Sequence, residues 1–176
     1  LGEGRVEIGG MAAEVLSRSP FLLNVQAPLD LASGAHTLRI GAVERPVEVM
    51  EAAPGIFVVG GTAARPQGAV VNQDGRLNTT RNPSDRARSL TIFGTGLGAV
   101  TPAGAVSVTR HRVEVVVGGA ALPAAFAGLS PGFVGLYQVN VPLPAAMPPD
   151  LSIPLLVRVE TPLGAVDSNT VFVAVQ

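Results

Sequence analysis

Alternating apolar and polar side chains are the clearest pattern in this chain, and they are most regular from Leu136 to Val141. Alternation with a period of two is typical of a strand that has one buried and one solvated face. Ser130-Pro131-Gly132 precedes this run and favours a tight turn, because proline fixes φ and glycine permits positive φ. The stretch therefore predicts a turn followed by a half-buried strand.

Short apolar runs recur along the whole chain, with turn signals between them at the spacing typical of β-sandwiches. Proline and glycine interrupt every window that is long enough to be a helix. We therefore predict an all-β protein of the immunoglobulin-like sandwich type. The predicted strands cover residues 5–8, 13–16, 22–27, 35–40, 47–50, 56–59, 69–72, 76–78, 89–94, 112–117, 124–127, 135–141, 153–160 and 170–175.

The middle of the chain carries turn and loop signals. Gly60-Gly61 predicts a turn, and Gln73-Asp74-Gly75 predicts a hairpin with a type I′ turn, which requires positive φ at both central positions. Residues 79–88 are the most polar and basic segment and predict an exposed loop.

Parts of the chain repeat. Residues 6–13 align with 115–122, 19–20 with 130–131, 24–28 with 138–142, and 38–40 with 157–159. A repeat of this length predicts tandem structural modules. We therefore expect two tandem immunoglobulin-like (TIG-like) sandwich modules, a shortened one over residues 1–53 and a second over residues 54–176, which includes a hairpin and loop segment at 54–88.

The two copies differ at their beginnings. The second has a predicted strand, Ser89 to Phe93, ahead of its Gly-Gly strand, whereas the first has only Leu1 to Gly4 ahead of Arg5. The first module is therefore expected to lack its opening strand, which would expose an unpaired edge and an apolar groove that another chain could fill. Two alternatives remain open, that the chain was cut there or that a short edge is tolerated.

The predicted edge and the Tyr137 strand supply the candidate interface residues, which are Val6, Ile8, Tyr137 and Val139. Tyr137 is the only tyrosine. Its place in the alternation favours a buried or interface position, from which the phenol can reach a polar partner.

Composition narrows the function classes. The chain is 47% hydrophobic and 14% charged with a net charge of −1, which gives no electrostatic basis for a nucleic acid or an anionic membrane as partner. Aromatic residues make up 4%, so a stacking platform for sugars has little to build with. Cysteine is absent, which excludes disulfides and thiolate metal sites. No apolar run approaches the length of a membrane span.

No residues form a convincing catalytic or metal site. Gly94 to Gly98 follows a predicted strand but lacks the glycine spacing of a dinucleotide site, so a sandwich turn is the better interpretation. Asn72, Asp74 and Asn78 supply too few carboxylates for calcium, which favours a hairpin turn. No nucleophile motif accompanies His36 or His111.

Four arginines gather in the polar segment and could bind an acidic polysaccharide or phosphate, but neighbouring aspartates favour a solvated loop. They are Arg76, Arg81, Arg86 and Arg88. We predict no cofactor and no metal. Because the chain begins at Leu1 without an initiator methionine, we expect either a mature product of cleavage or a fragment.

Motifs spread over nearly the whole chain resemble those of a known family. They are Gly9-Gly10, Ser19-Pro20, Asn24-Val25-Gln26, Ala53 to Phe57, Asn72 to Gly75, Gly94 to Gly98 and Phe126 to Asn140. The chain resembles the uncharacterised C-terminal domain of many secreted proteins of Solibacter-type Acidobacteria, whose halves are similar to IPT/TIG immunoglobulin-like modules. That family usually begins with a further strand and a glycine-rich turn, which the first half of this chain lacks.

The resemblance implies an extracellular, non-enzymatic module without established catalytic residues. Together with the apolar, weakly charged composition, it predicts a structural module at the cell surface or outside the cell. Its expected partner is protein, other copies of itself above all, with self-assembly into a surface fibre by strand complementation. The alternative is a carbohydrate-binding or substrate-docking module of a larger secreted protein.

Overall fold

The computed structural model describes residues 4–28 and 30–176, and the described chain is all-β, as the alternating pattern predicts. It divides into two compact units, with the boundary between Glu51 and Ala52. The boundary expected from the sequence lies slightly further along, between residues 53 and 54. Part of the segment expected ahead of the first strand, residues 1–3, lies outside the described residues.

The first unit is one antiparallel sheet in the order β3-β2-β1-β4-β5. Its strands are β1 (Val6–Ile8), β2 (Met11–Arg18), β3 (Leu23–Gln26), β4 (Gly34–Ile40) and β5 (Val43–Val49). β1 and β2 meet at Gly9-Gly10, whose φ angles of 60° and 79° give the two positive values that a two-residue type I′ hairpin turn needs. β1 lies inside the sheet, because it pairs with β2 on one edge and with β4 on the other.

The core of the first unit is thin. Among the described residues only Val6, Ile8 and Ala13 are buried hydrophobics of this unit. A second set of apolar side chains packs against them and stays partly exposed: Val15, Leu23, Val25, Leu31, Leu38, Ile40 and Val47. The single sheet therefore has one apolar face that is covered only in part.

The second unit is a two-sheet sandwich. One sheet has the order β11-β12-β15-β16-β10-β6 with β9 beside β10, and the other has the order β14-β13-β17-β19-β8-β7 with β18 beside β17. Its strands are β6 (Gly55–Ile56), β7 (Val58–Thr62), β8 (Arg65–Gly68), β9 (Val70–Asn72), β10 (Ser89–Thr95), β11 (Val100–Ala103), β12 (Val106–Thr109), β13 (Arg112–Val117), β14 (Ala120–Pro123), β15 (Phe126–Leu129), β16 (Tyr137–Pro142), β17 (Asp150–Thr161), β18 (Gly164–Asp167) and β19 (Val171–Val175).

The core of this sandwich is built by alternate residues of both sheets. Leu90 pairs with Val141 across β10 and β16, and both side chains are fully buried. Val115 on β13 and Val157 on β17 form an equally buried pair in the other sheet. All four belong to one hydrophobic cluster, so the alternation in the sequence correctly identifies the inward faces.

The two units share a strand path. In the first unit, a Gly-Gly turn joins β1 to β2, and the other edge of β1 pairs with β4. In the second unit, a Gly-Gly turn joins β13 to β14, and the other edge of β13 pairs with β17. β4 then forms a hairpin with β5, and β17 forms a hairpin with β18. In the first unit, β2 also pairs with β3. In the second unit, two separate strands take the place of β2: β14 pairs with β13, and β15 pairs with β16.

The expected tandem of sandwiches is not confirmed. The strands of the first unit form one continuous path, in which residues 11–13 of β2 pair with β1 and residues 14–18 pair with β3, whereas the second unit has two separate sheets. The Gly60-Gly61 turn prediction is wrong, because both glycines lie within β7 at an irregularity of its pairing with β8. The Asp-Gly hairpin forms, but only Gly75 has positive φ, and Asn72 N–H donates to the carbonyl of Arg76. This is the geometry of a longer loop and not of a type I′ turn.

Candidate functional site

Among the described residues, β3 is the end strand of the first unit's sheet and has only β2 as a neighbour. In the second unit its counterpart β16 is paired on both edges, with β15 and with β10. β10 is the opening strand that the sequence comparison finds missing from the first half. The structure therefore gives the unpaired edge a definite place, the outer side of Leu23–Gln26.

Burial at this edge differs between the two units. Val139 on β16 is buried, with 2% of its surface exposed, whereas Val25, at the equivalent position of β3, is only partly buried. Val25 and Leu23 nevertheless pack against the buried cluster of the first unit, so the apolar face of β3 is in contact with the core. What β3 lacks among the described residues is a partner strand along its outer edge.

An exposed apolar pair stands directly before β3. Phe21 is 93% exposed and Leu22 is 58% exposed. They follow Ser19, whose side-chain oxygen accepts hydrogen bonds from the backbone N–H groups of both residues. This turn presents the two side chains to solvent, and the sequence from Ser19 to Pro28 carries no charged residue.

The opposite edge strand of the same sheet, β5, carries residues that oppose pairing with another chain. Pro46 lies in the middle of the strand and has no N–H to offer another chain. Glu44, Arg45 and Glu48 add charges, which are devices that natural sheets use against edge-to-edge pairing. β3 has neither proline nor charge, so it is the edge of this unit best suited to pair with another strand.

The sequence-predicted interface residues lie elsewhere. Val6 and Ile8 are buried in the first unit on a strand paired on both edges, so the prediction that they form the open edge is wrong. A Val6→Pro change would break the interior of the sheet and would not report on its edge. Val139 is buried in the core of the second unit.

Tyr137 packs against the core of the second unit and is half-buried. Its phenol donates a hydrogen bond to the carbonyl oxygen of Gly98, which fixes the glycine-rich turn of residues 94–98 to β16. Burial raises the pKa of the Tyr137 phenol above its ordinary value. The side chain therefore has a structural role in its own unit, consistent with a phenol that reaches a polar partner from an apolar site.

Some of the side chains considered above for calcium or anion binding lie together at a polar cavity of about 490 Å³ in the second unit, which we call the loop cavity. Asn72, Asp74 and Arg88 line it, whereas Asn78 and the other three arginines do not. The side chain of Asn78 is fully buried and hydrogen-bonds to Asn72 and to the backbone of Ala174. No group of three or more metal-ligating side chains occurs among residues 4–28 and 30–176.

The sequence gives no direct signal for the loop cavity or for the β3 edge. The cavity combines residues 72–74, 82–85 and 88 with Gln176, which are distant in the chain. Comparison of the chain with protein-family models, curated proteins and solved structures finds no match to any of them. No helix that could cross a membrane occurs in the part of the chain that the structure describes.

Proposed function

We propose that this chain is a non-enzymatic, extracellular structural module that mediates protein–protein association by adding a strand at β3. The observation that carries the proposal is the contrast between β3 and β16. The two strands occupy the same place in a shared path, and only β16 has a β10 beside it. Unpaired edges bind other strands through main-chain hydrogen bonds, and neighbouring apolar side chains supply further contact.

The partner that we propose is a second copy of the chain, paired through β3 of each copy. Residues 19–28 are uncharged and the whole chain has a net charge of −1, so electrostatic repulsion between two such edges is small. Phe21 and Leu22 of each copy would add apolar area beside the new pair of strands. Growth of such pairs into a surface fibre requires a second contact elsewhere on the molecule.

Sedimentation equilibrium of the full chain tests the proposal. We expect a mass of two copies or more, and a concentration-dependent return to the monomer after Asn24→Lys, because a lysine on the edge strand opposes its pairing with another strand. Ala35→Lys is the matched control, since Ala35 is exposed on the interior strand β4, and it should associate like the wild type.

Phe21→Ser combined with Leu22→Ser provides a second test, because both side chains are mostly exposed, at 93% and 58%. We expect this variant to weaken association and to keep the thermal stability of the wild type. A wild-type chain that stays monomeric at high concentration would overturn the proposal. Equal association of Asn24→Lys and Ala35→Lys would do so as well.

A further inference from the structure

The loop cavity lies on a rigid frame. Asn78, with none of its surface exposed, receives a hydrogen bond from the Ala174 N–H on β19 and donates to the Ala174 carbonyl, at 2.7 and 2.9 Å. Asn72 donates to the Asn82 carbonyl at 3.0 Å, which joins the two loops that form the walls. Ser84 N–H donates to the Ala174 carbonyl, so the far wall is fixed to the same strand.

Eight of the nine residues that line the cavity are polar, and they include both hydrogen-bond donors and acceptors. Asp74 and Asp85 supply carboxylate acceptors, Gln73 and Asn82 supply amides, and Arg88 supplies a guanidinium. The Gln73 side-chain oxygen accepts from the Ser89 N–H, and one Asp85 oxygen accepts from Gln176. Asp74 accepts from the Arg76 N–H and lies near the Arg76 guanidinium, and the Asn82 side-chain amide donates to the Leu77 carbonyl. The Gln73 amide group, the second Asp85 oxygen, the Asn82 side-chain oxygen and Arg88 can serve a ligand.

The backbone at the cavity is strained. Ala87, between two lining residues, has a φ of 60°, which makes it the one residue other than glycine with positive φ in the part of the chain described by the structure. Such a conformation costs on the order of 1–3 kcal/mol in a residue with a Cβ and is found most often at functional sites. Here it sets the direction in which the chain passes from Asp85 to Arg88.

The chemistry of the lining selects among ligand classes. Two carboxylates are too few for calcium and oppose an anion, while the polar walls give no binding energy to an apolar ligand. Hydroxyl groups both donate and accept, so a ligand that carries several of them matches carboxylates, amides and a guanidinium at the same time. The volume of about 490 Å³ is within the range of roughly 300–1,000 Å³ that is typical of small-molecule sites.

We propose that the loop cavity of the second unit binds a neutral, polyhydroxylated ligand, namely a saccharide unit. Recognition rests on hydrogen bonds and needs no aromatic stacking, which fits a chain with 4% aromatic residues. The site lies in the second unit, whereas the association edge lies in the first. Saccharide binding is therefore independent of strand pairing at β3, and either proposal can fail alone.

Titration of the isotopically labelled full chain, followed by ¹H–¹⁵N NMR, tests this assignment with glucose, galactose and N-acetylglucosamine as separate probes. We expect saturable shifts confined to residues 72–74, 82–88 and 176. Arg88→Gln should weaken the affinity by roughly tenfold to a hundredfold, as the loss of one hydrogen bond to a charged group predicts. Arg86→Gln is the matched control, since Arg86 lies outside the lining, and its affinity should equal that of the wild type.

Calcium chloride and sodium phosphate serve as counter-probes in the same titration. The proposal is overturned if none of the sugars shifts these residues, or if calcium or phosphate shifts them at lower concentration than any sugar. It is also overturned if Arg86→Gln and Arg88→Gln weaken binding equally, because general charge and not the cavity would then explain the effect.

Discussion

Asn78 is the residue that most directly connects the polar loops to the sandwich core. Its buried side chain makes hydrogen bonds to Ala174 N–H, to the Ala174 carbonyl and to the Asn72 side chain. Its own carbonyl accepts a hydrogen bond from Gln67 at 2.6 Å. Asn78 therefore supports the C-terminal strand β19 and the hairpin after β9 through its side-chain amide, and the short strand β8 through its main-chain carbonyl.

Asn78→Ala is expected to destabilise the second unit by about 2–4 kcal/mol, because it leaves several buried polar groups without partners. Urea denaturation followed by circular dichroism measures the change. The same substitution at Asn24, an exposed residue whose side chain bonds only to Ser17, should change stability by less than about 1 kcal/mol. Equal effects at the two positions would contradict the structural role assigned to Asn78.

At the level of elements, the Gly-Gly hairpins are the most direct link between sequence and fold. Both turns have two consecutive glycines with positive φ, at residues 9–10 and 118–119. In the first of these turns, the space around Gly9 differs from the space around Gly10. A Cβ on Gly9 would lie 2.6 Å from His36 Nδ1, whereas a Cβ on Gly10 would meet no atom within 4 Å.

Gly10→Ala should therefore cost about 1–2 kcal/mol, which is the strain of a left-handed backbone alone. Gly9→Ala should cost clearly more, since His36 is held in place by its hydrogen bond to the Ala32 carbonyl at 2.8 Å. Thermal unfolding of the two variants, compared side by side, measures the difference. Equal melting temperatures would show that the contact with His36 does not affect the stability of the Gly9 variant.

Local patterns explain which elements sequence reasoning finds. Alternation gives the inward residues of β10, β13 and β16, and glycine pairs give the hairpins. Short polar strands such as β11 and β18 have no apolar alternation, so the sequence gives no sign of them. Gly60 and Gly61 look like a turn, but both are paired with β8 within β7, just after the irregularity between Val58 and Gly60, and only Gly61 has positive φ.

The candidate site depends on pairing order, which the sequence pattern does not contain. A missing opening strand correctly implies an open edge, but not which strand carries it. Because Val6 and Ile8 lie in the first predicted strand, the sequence assigns the open edge to them, yet hydrogen bonds to β2 and β4 place them in the middle of the sheet. The loop cavity was equally beyond reach, since Gln176 joins Asp85 from the other end of the unit.

Considered as a whole molecule, the chain combines two units of unequal stability. Among the described residues the first has three buried hydrophobics, and the second has a continuous cluster of twenty. A unit of about fifty residues with so little buried apolar surface is marginal on its own. The second unit should keep its fold under conditions that open the first.

Two unfolding transitions are therefore expected, with residues 4–28 and 30–51 exchanging amide hydrogens at lower temperature than residues 52–176. Hydrogen exchange with mass spectrometry resolves the two regions. Val6→Ala should lower only the first transition and Val141→Ala only the second, each by about 1–3 kcal/mol, since both side chains are at most 1% exposed. A single transition that both variants shift equally would contradict this division.

The parallel pairing of β8 with β19 has a consequence for synthesis on the ribosome. Gln67 pairs with Phe172, about one hundred residues later in the chain. At usual translation rates, roughly 5–20 s pass between the synthesis of β8 and the synthesis of its partner strand β19. The first unit, whose strands all lie within the first fifty residues or so, can fold during that interval. The nascent chain would thus present a finished sheet with an open β3 edge while the apolar strands of its sandwich still await closure.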